Sequence, residues 1–241
     1  MNLVVKTVLT SRTFRLCERV PYKYLQVPIT SACPNIQRRS YCEDRTDTRR
    51  LPQLMEFPPI IWPSVLKFIK NWMFANFIIR PYFDNEFSLN EFIEASKYAV
   101  QVVSECLEKS DFKALEGLVE KDAISTLKTA VSKLSVSQRQ MLSISKDDIF
   151  YAFPYQVGVM FDESDKRWVE ITMCYHVLRG LKQMQETGDL PPISLGVQPE
   201  YQDKIFILNY RFIREFTKGV EDSWWVNIAN HFQPHALKKS F

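Results

Sequence analysis

Glycine is scarce in this chain, with six in 241 residues, which argues against a glycine-rich loop for cradling phosphates. Histidine is scarcer still. His176, His231 and His235 are the whole set, and no HExxH pair is among them. The GxSxG signature of a nucleophile elbow is absent. Five cysteines, at positions 17, 33, 42, 106 and 174, form no CxxC pair and no metal-ligand spacing. No disulfide framework is implied, and Cys106 and Cys174 sit inside apolar patterns as small buried hydrophobes do. Long apolar runs are missing too: the uncharged stretch from Asn71 to Ile79 has nine residues, against the roughly 20 a bilayer span needs. The expectation is a protein that is not an enzyme, with no cofactor and no metal.

Acidic residues are also missing, but only locally. Residues 1–41 carry seven basic side chains and one acid, Glu18. The stretch QRRSYCEDR (37–45) then opens a region where Glu43, Asp44 and Asp47 follow closely. The first twenty residues interleave Leu3, Val4, Val5, Val8, Leu9, Phe14 and Leu16 with Arg, Lys, Ser and Thr. That is the Arg-rich, acid-poor, weakly amphipathic pattern of a mitochondrial transit peptide. Arg39 lies three residues before a cut between Tyr41 and Cys42, the spacing of a matrix-processing site. The plainer alternative is a basic tail that is never cleaved. The whole chain is +3 and residues 1–41 contribute +6, so residues 42–241 carry −3. The basicity belongs to the leader, and the bulk charge of the rest gives no sign of DNA binding.

What is present is a chain rich in aromatics, with 17 Phe, 10 Tyr and 5 Trp, enough for one domain with a sizeable core in the remaining 200 or so residues. Residues 42–60 read as a linker, polar and then proline-punctuated, without a sustained period. Residues 61–81 read as an apolar amphipathic helix. Pro63 suits its first turn, and Pro81 ends it after Arg80. Trp62, Val65, Leu66, Ile69, Trp72 and Met73 share one face, with Lys67, Lys70 and Asn71 on the other and Phe77 in an all-apolar second half. Two readings stand: a helix packed on its own domain, or one lying on a membrane surface, its aromatics dipping in and Lys67, Lys70 and Arg80 meeting anionic headgroups.

The remaining pattern divides in two. Ser88 and Glu91 form a capping-box pair at the start of a helix carrying Phe92, Ala95, Ala99, Val102, Val103 and Cys106. Ser110 or Asp111 then caps a short helix through Leu118, and Asp122 starts another with Ile124, Leu127, Val131 and Leu134, Gly117 being the joint. From Lys146 the period changes to two. DDIFYAF, YQVGVMFDE, RWVEITMCYHVL and KIFILNYRFIREF read as strands, SWWVNIANHF as a fifth, DESDK (162–166) as a hairpin turn, and residues 183–203 as a long loop. Helices first and strands afterwards predict an α+β domain over 82–235, with N-terminal helices on an antiparallel sheet of four to five strands and a tail at 236–241. On the third strand Trp168, Glu170, Thr172, Cys174 and His176 share a face. Glu170 and His176 could do acid–base work, but the polar set is more simply the less buried side. Asn209 and Arg211 read as edge or solvent-facing residues rather than ligands.

Three segments carry a family resemblance. YFDNEFSLNEFIEASKYA (82–99), RWVEITMCYHVL (167–178) and REFTKGVEDSWW (214–225) resemble the m-AAA protease-interacting proteins of mitochondria. Their wider superfamily is similar to the C-terminal domain of translocase-of-inner-membrane subunit 44. The likeness covers roughly residues 65–235, in order, and its motifs are structural rather than catalytic. It implies a curved antiparallel sheet under helices, similar to the cones of nuclear transport factor 2. It also implies a matrix protein, peripheral on the inner membrane, that binds the m-AAA protease and assists newly imported hydrophobic inner-membrane proteins, a calcium uniporter regulatory subunit among them. The alternative from the wider relatives is a membrane-associated mitoribosome receptor. The residues expected to meet membrane or client are Trp62, Leu66, Lys67, Ile69, Lys70, Trp72, Met73, Phe77 and Arg80. The pocket under the sheet and the Trp224–Trp225 pair are further candidates.

Overall fold

The structure, a computed structural model, describes residues 51–161, 166–188, 198–217, 220 and 223–234. The expected leader with Arg39, Tyr41 and Cys42, the tail, and most of the DESDK turn lie outside the described residues.

The chain enters as an extended segment, Leu51–Ile61, and then forms α1 (Val65–Phe74), a π-helical turn (Ala75–Ile79) and α2 (Arg80–Tyr82). The long helix α3 (Leu89–Lys109) follows, then α4 (Lys121–Ser132) and α5 (Val136–Gln140). Strands β1 (Ile149–Phe161) and β2 (Arg167–Leu178), short helices α6 (Leu181–Thr187) and α7 (Pro199–Gln202), and strands β3 (Ile205–Glu215) and β4 (Trp225–Phe232) complete it. The sheet is an antiparallel meander in the order β1-β2-β3-β4. This is an α+β architecture, helices against an open four-stranded sheet, consistent with a nuclear transport factor 2-like cone.

Several elements differ from the sequence reading for identifiable reasons. DDIFYAF and YQVGVMFDE form one strand, because Pro154 sits on an edge strand beside a register shift that absorbs its missing donor. Residues 111–118 are turns and not a helix. Ser110 adopts the left-handed conformation (φ 56°) and ends α3, and Gly117 at φ 86° turns the chain back. Val119 then bridges Val226, with Glu120 N–H on Val226 O and Val226 N–H on Leu118 O, both at 2.8 Å. That pairs the start of the outer edge of β4. At the described ends of the expected long loop, α6 runs from Leu181 to Thr187 and α7 stands at Pro199–Gln202, while residues 189–197 lie outside the described residues. Ser88 Oγ accepts from Glu91 N–H as its spacing predicts, and a complete capping box forms at Ser135–Gln138, which the sequence reading passed over.

One face of the sheet, with Ile171, Met173, Tyr175, Leu208, Tyr210 and Phe212, builds the main core with α3 and α4. The other face was expected to be the wetter one. From Thr172 to Leu178 it is not, since every residue there is buried. The cover is Leu51–Ile61, the supposed linker. Its backbone is held by buried side chains of the sheet. Asn230 accepts from Leu54 N–H (2.8 Å) and donates to Met55 O (3.1 Å). Asn209 accepts from Ile60 N–H (2.8 Å) and donates to Ile60 O (2.9 Å). The Cys174 thiol also donates to Ile60 O, and His176 Nε2 bonds Ile61 O at 2.8 Å. Asn209 is therefore fully buried and not solvent-facing.

Replacing Asn209 by Ala strands the N–H of Ile60 in an apolar setting and leaves its C=O only the Cys174 thiol. The expected loss is about 3 kcal/mol, read as a fall in the urea midpoint with the slope unchanged and as new proteolysis between residues 51 and 61. An unchanged midpoint would show that the strap is not held this way.

Candidate functional site

The helix singled out from sequence begins at Val65, capped by extended Ser64, so Pro63 lies just before the helix rather than in its first turn. Nor does Pro81 end it. The chain stays helical to Tyr82, and the π turn at Ala75–Ile79 loosens the backbone just before the proline ring.

The orientation of this helix is the reverse of ordinary amphipathic packing. Its buried side is Asn71, Ala75 and Ile79, spaced four apart. The Asn71 amide donates to Pro154 O (2.8 Å) and accepts from Val157 N–H (2.9 Å), across the irregularity of β1. It thereby serves the sheet edge as a neighbouring strand would. With that side turned inward, the apolar side turns out. Trp62, Leu66, Ile69, Trp72, Met73 and Phe77 are all exposed, from 49% for Met73 to 81% for Leu66. Val65, Phe68 and Tyr82 extend the same surface.

The cations frame this patch. Lys67 Nζ stands 3.5 Å from the centre of the Tyr155 ring, Lys70 Nζ 5.2 Å from that of Phe74, and Arg80 Nε donates to Asn85 O at 3.4 Å. Between Glu56 and Asp84 the chain has no acid. Trp72 and Phe77 meet edge to face at 5.7 Å, so two of the exposed rings hold each other in place. Eight of the nine residues named from sequence thus lie on one helical segment, and Trp62 stands just before it. Among the described residues, no helix is long and apolar enough to cross a membrane.

The other candidates fare differently. Glu170 and His176 lie six residues apart on one strand, about 20 Å, and have separate partners. Glu170 pairs with Arg211 at 3.6 Å, while His176 is enclosed by Trp62, Phe150, Tyr151 and Phe153. They do not form a joint site. Burial pushes the Cys174 thiol up to about 12 and raises that of Cys106, the opposite of an activated nucleophile. Trp224 packs on Phe92 with centroids 4.8 Å apart. Trp225 meets Trp168 edge to face, centroids 6.4 Å apart, and both line an open groove of about 600 Å³ with Met160, Phe161 and Ile213. Among the described residues, no group of three or more His, Cys, Asp or Glu is placed to hold a metal.

Sequence reasoning missed the three asparagines that set this geometry. The available signal was an Asn inside each apolar segment, in FIKNWMF, FILNYRF and NIANHF, where a strong hydrogen-bonding amide needs buried partners.

By fold and surface, then, this is an α+β protein, its open sheet consistent with a nuclear transport factor 2-like cone, that displays an apolar, cation-framed helix. No protein-family model matches the chain. It is 30% identical over 207 residues to the mouse (Mus musculus) protein named m-AAA protease-interacting protein 1, mitochondrial, covering 85% of this chain and 70% of the relative. The human (Homo sapiens) protein of that name is 32% identical over 208 residues, covering 83% and 68%. The cattle (Bos taurus) protein is 30% identical over 229 residues, covering 92% and 78%. The chain belongs to the m-AAA protease-interacting protein family.

The buried histidines give this domain a pH signature. Burial lowers the pKa of His231 from 6.5 to about 3, and its Nε2 lies 2.8 Å from the Tyr210 hydroxyl. His176 shifts the same way, with burial outweighing its bond to Ile61 O. The unfolded chain takes up these protons near pH 6.5 and the folded chain does not. The associated stability is therefore complete above 6.5 and lost as pH falls toward 3. Urea midpoints should drop steadily from about pH 7 to about pH 4, less steeply in His231→Gln. Equal slopes in the two proteins would refute the assignment to His231.

Proposed function

We propose that this protein is a non-enzymatic mitochondrial adaptor of the m-AAA protease, stationed at the matrix face of the inner membrane. There it would assist the sorting and protection of newly imported hydrophobic proteins. A calcium uniporter regulatory subunit is the client class that the family resemblance brings with it. The link to the protease rests on the names of its relatives. The observation that carries the rest is the outward apolar face of α1.

An apolar surface of this extent, unbroken by acids, is unusual on a protein that acts alone and fits a working contact. Its cations favour an anionic bilayer, each contributing about 1 kcal/mol near such a surface. Its tryptophans suit the boundary between headgroup and acyl chain. The same face, held at the membrane, would meet apolar segments of clients as they arrive. A mitoribosome receptor would be better served by a continuous basic tract, whereas here the basic residues frame an apolar face.

The test is the triple variant Leu66→Ser, Trp72→Ser, Met73→Ser, expressed in mitochondria beside the wild type. All three side chains are exposed, so the thermal unfolding temperature should hold within about 2 °C. Wild-type protein should sediment with membranes at low salt, be released at high salt, and co-purify with the m-AAA protease. The variant should lose most of its membrane fraction. Wild-type protein that recovers neither membrane nor protease would end the proposal.

A further inference from the structure

A second feature lies away from α1, on the core side of the sheet. The middle of α3 stands off from the ends of β3 and β4, and between them is a cleft of about 240 Å³. Its walls are Phe92, Val103, Phe212, Trp224 and Val226, with Ala95 and Ala99 leaving the space open along the helix. The hydroxyl on its lining, Ser96 Oγ, is already committed. It donates to Ile93 O (2.7 Å) and accepts from Tyr175 OH (2.7 Å), which donates to it. The interior therefore offers nothing to a ligand that needs hydrogen bonds along its length.

The mouth is different. Tyr98 and Val102 stand there exposed, and Lys146 Nζ donates to Tyr98 OH at 2.5 Å while lying 3.9 Å from its ring centre. Among the described residues, no carboxylate lies within ion-pair distance of that ammonium. A dry apolar slot with Tyr98 in its lining, and the Lys146 ammonium held on the Tyr98 hydroxyl outside that lining, suits a ligand with an alkyl tail and an anionic head. An extended peptide would fill the slot poorly, because its backbone groups would be buried without partners.

We propose that this cleft binds a medium-chain alkyl carboxylate. The tail lies against Phe92, Phe212 and Trp224, and the carboxylate accepts from Lys146 and from the Tyr98 hydroxyl. This goes beyond the adaptor reading and does not depend on it. The ligand is the free acid; a lipid, whose acyl chain ends in an ester and not a carboxylate, is the other outcome that the experiment separates.

The experiment is calorimetric titration of the full chain with octanoate, decanoate, decanol and dioctanoyl-phosphatidylcholine. It is run on the wild type, on Val102→Trp, which fills the mouth from an exposed position, on Lys146→Glu, and on Trp72→Ser as a control for adsorption to α1. Decanoate should bind saturably, one per chain, and about sixteenfold more tightly than octanoate, since each buried methylene is worth about fourfold. Val102→Trp should weaken decanoate at least about tenfold, and Lys146→Glu should weaken it at least about fivefold while leaving decanol unchanged. Trp72→Ser should have no effect. Absence of saturation, binding lost in Trp72→Ser but kept in Val102→Trp, or binding of the phospholipid without the free carboxylates would each overturn the proposal. None of these outcomes bears on recovery of the protease.

Discussion

Three buried asparagine amides hold the outer parts of this fold to its sheet. Each presents one donor and one acceptor in fixed register, as a residue of a neighbouring strand does. Asn209 and Asn230 use that capacity on the strap, Asn71 on the edge of β1. A hydrogen bond contributes only about 1 kcal/mol net, but a buried amide without its partner costs more than that. Such groups therefore specify position more than they add stability: the strap and α1 have one seat each in which all six bonds close.

That requirement sets the surface. Because Asn71 must face the sheet, the apolar residues on the opposite side of α1 must face away. Burying Leu66, Ile69 and Trp72 instead would leave the amide, Pro154 O and Val157 N–H unpaired. The hydrophobic effect would ordinarily turn the helix the other way. The edge of β1 supplies the polar demand that prevents it, and Ala75 and Ile79 give the inner side enough apolar contact to seat the helix. The same amide pairs part of the β1 edge of the sheet, while residues 118–120 pair the start of β4 at the other.

The sequence made the body of the domain legible where periodicity reports burial directly. The change of period near Lys146, the alternation of β2 and the cap at Ser88 all correspond to observed elements. Eight of the nine residues named for the helix share one segment, although whether they met solvent or core was open. Legibility failed wherever the determining contacts were non-local. The strap has no period because it crosses the sheet and is held by side chains 149 and 176 residues away. Thr172, Cys174 and His176 looked like a wetter face because nothing local to β2 announces the strap above them. Pro154 looked like a break because only the edge position and the register shift make it tolerable. Asn71 looked like part of a solvated face, since its two partners lie on a strand more than eighty residues onward.

The long reach of the strap also fixes an order of events. A chain delivered N-terminus first presents residues 51–82 long before β3 and β4 exist. Leu54 and Ile60 have no seat until Asn230 and Asn209 have arrived, and contacts this distant in sequence form late. The first described segment is therefore the last to be secured. Until the final strand is in place, the strap lacks its anchors and α1 is held by the edge of β1 alone, its apolar side open to whatever is near. During its own maturation this protein passes through the condition of its proposed clients: a hydrophobic helix on a chain that is not yet folded.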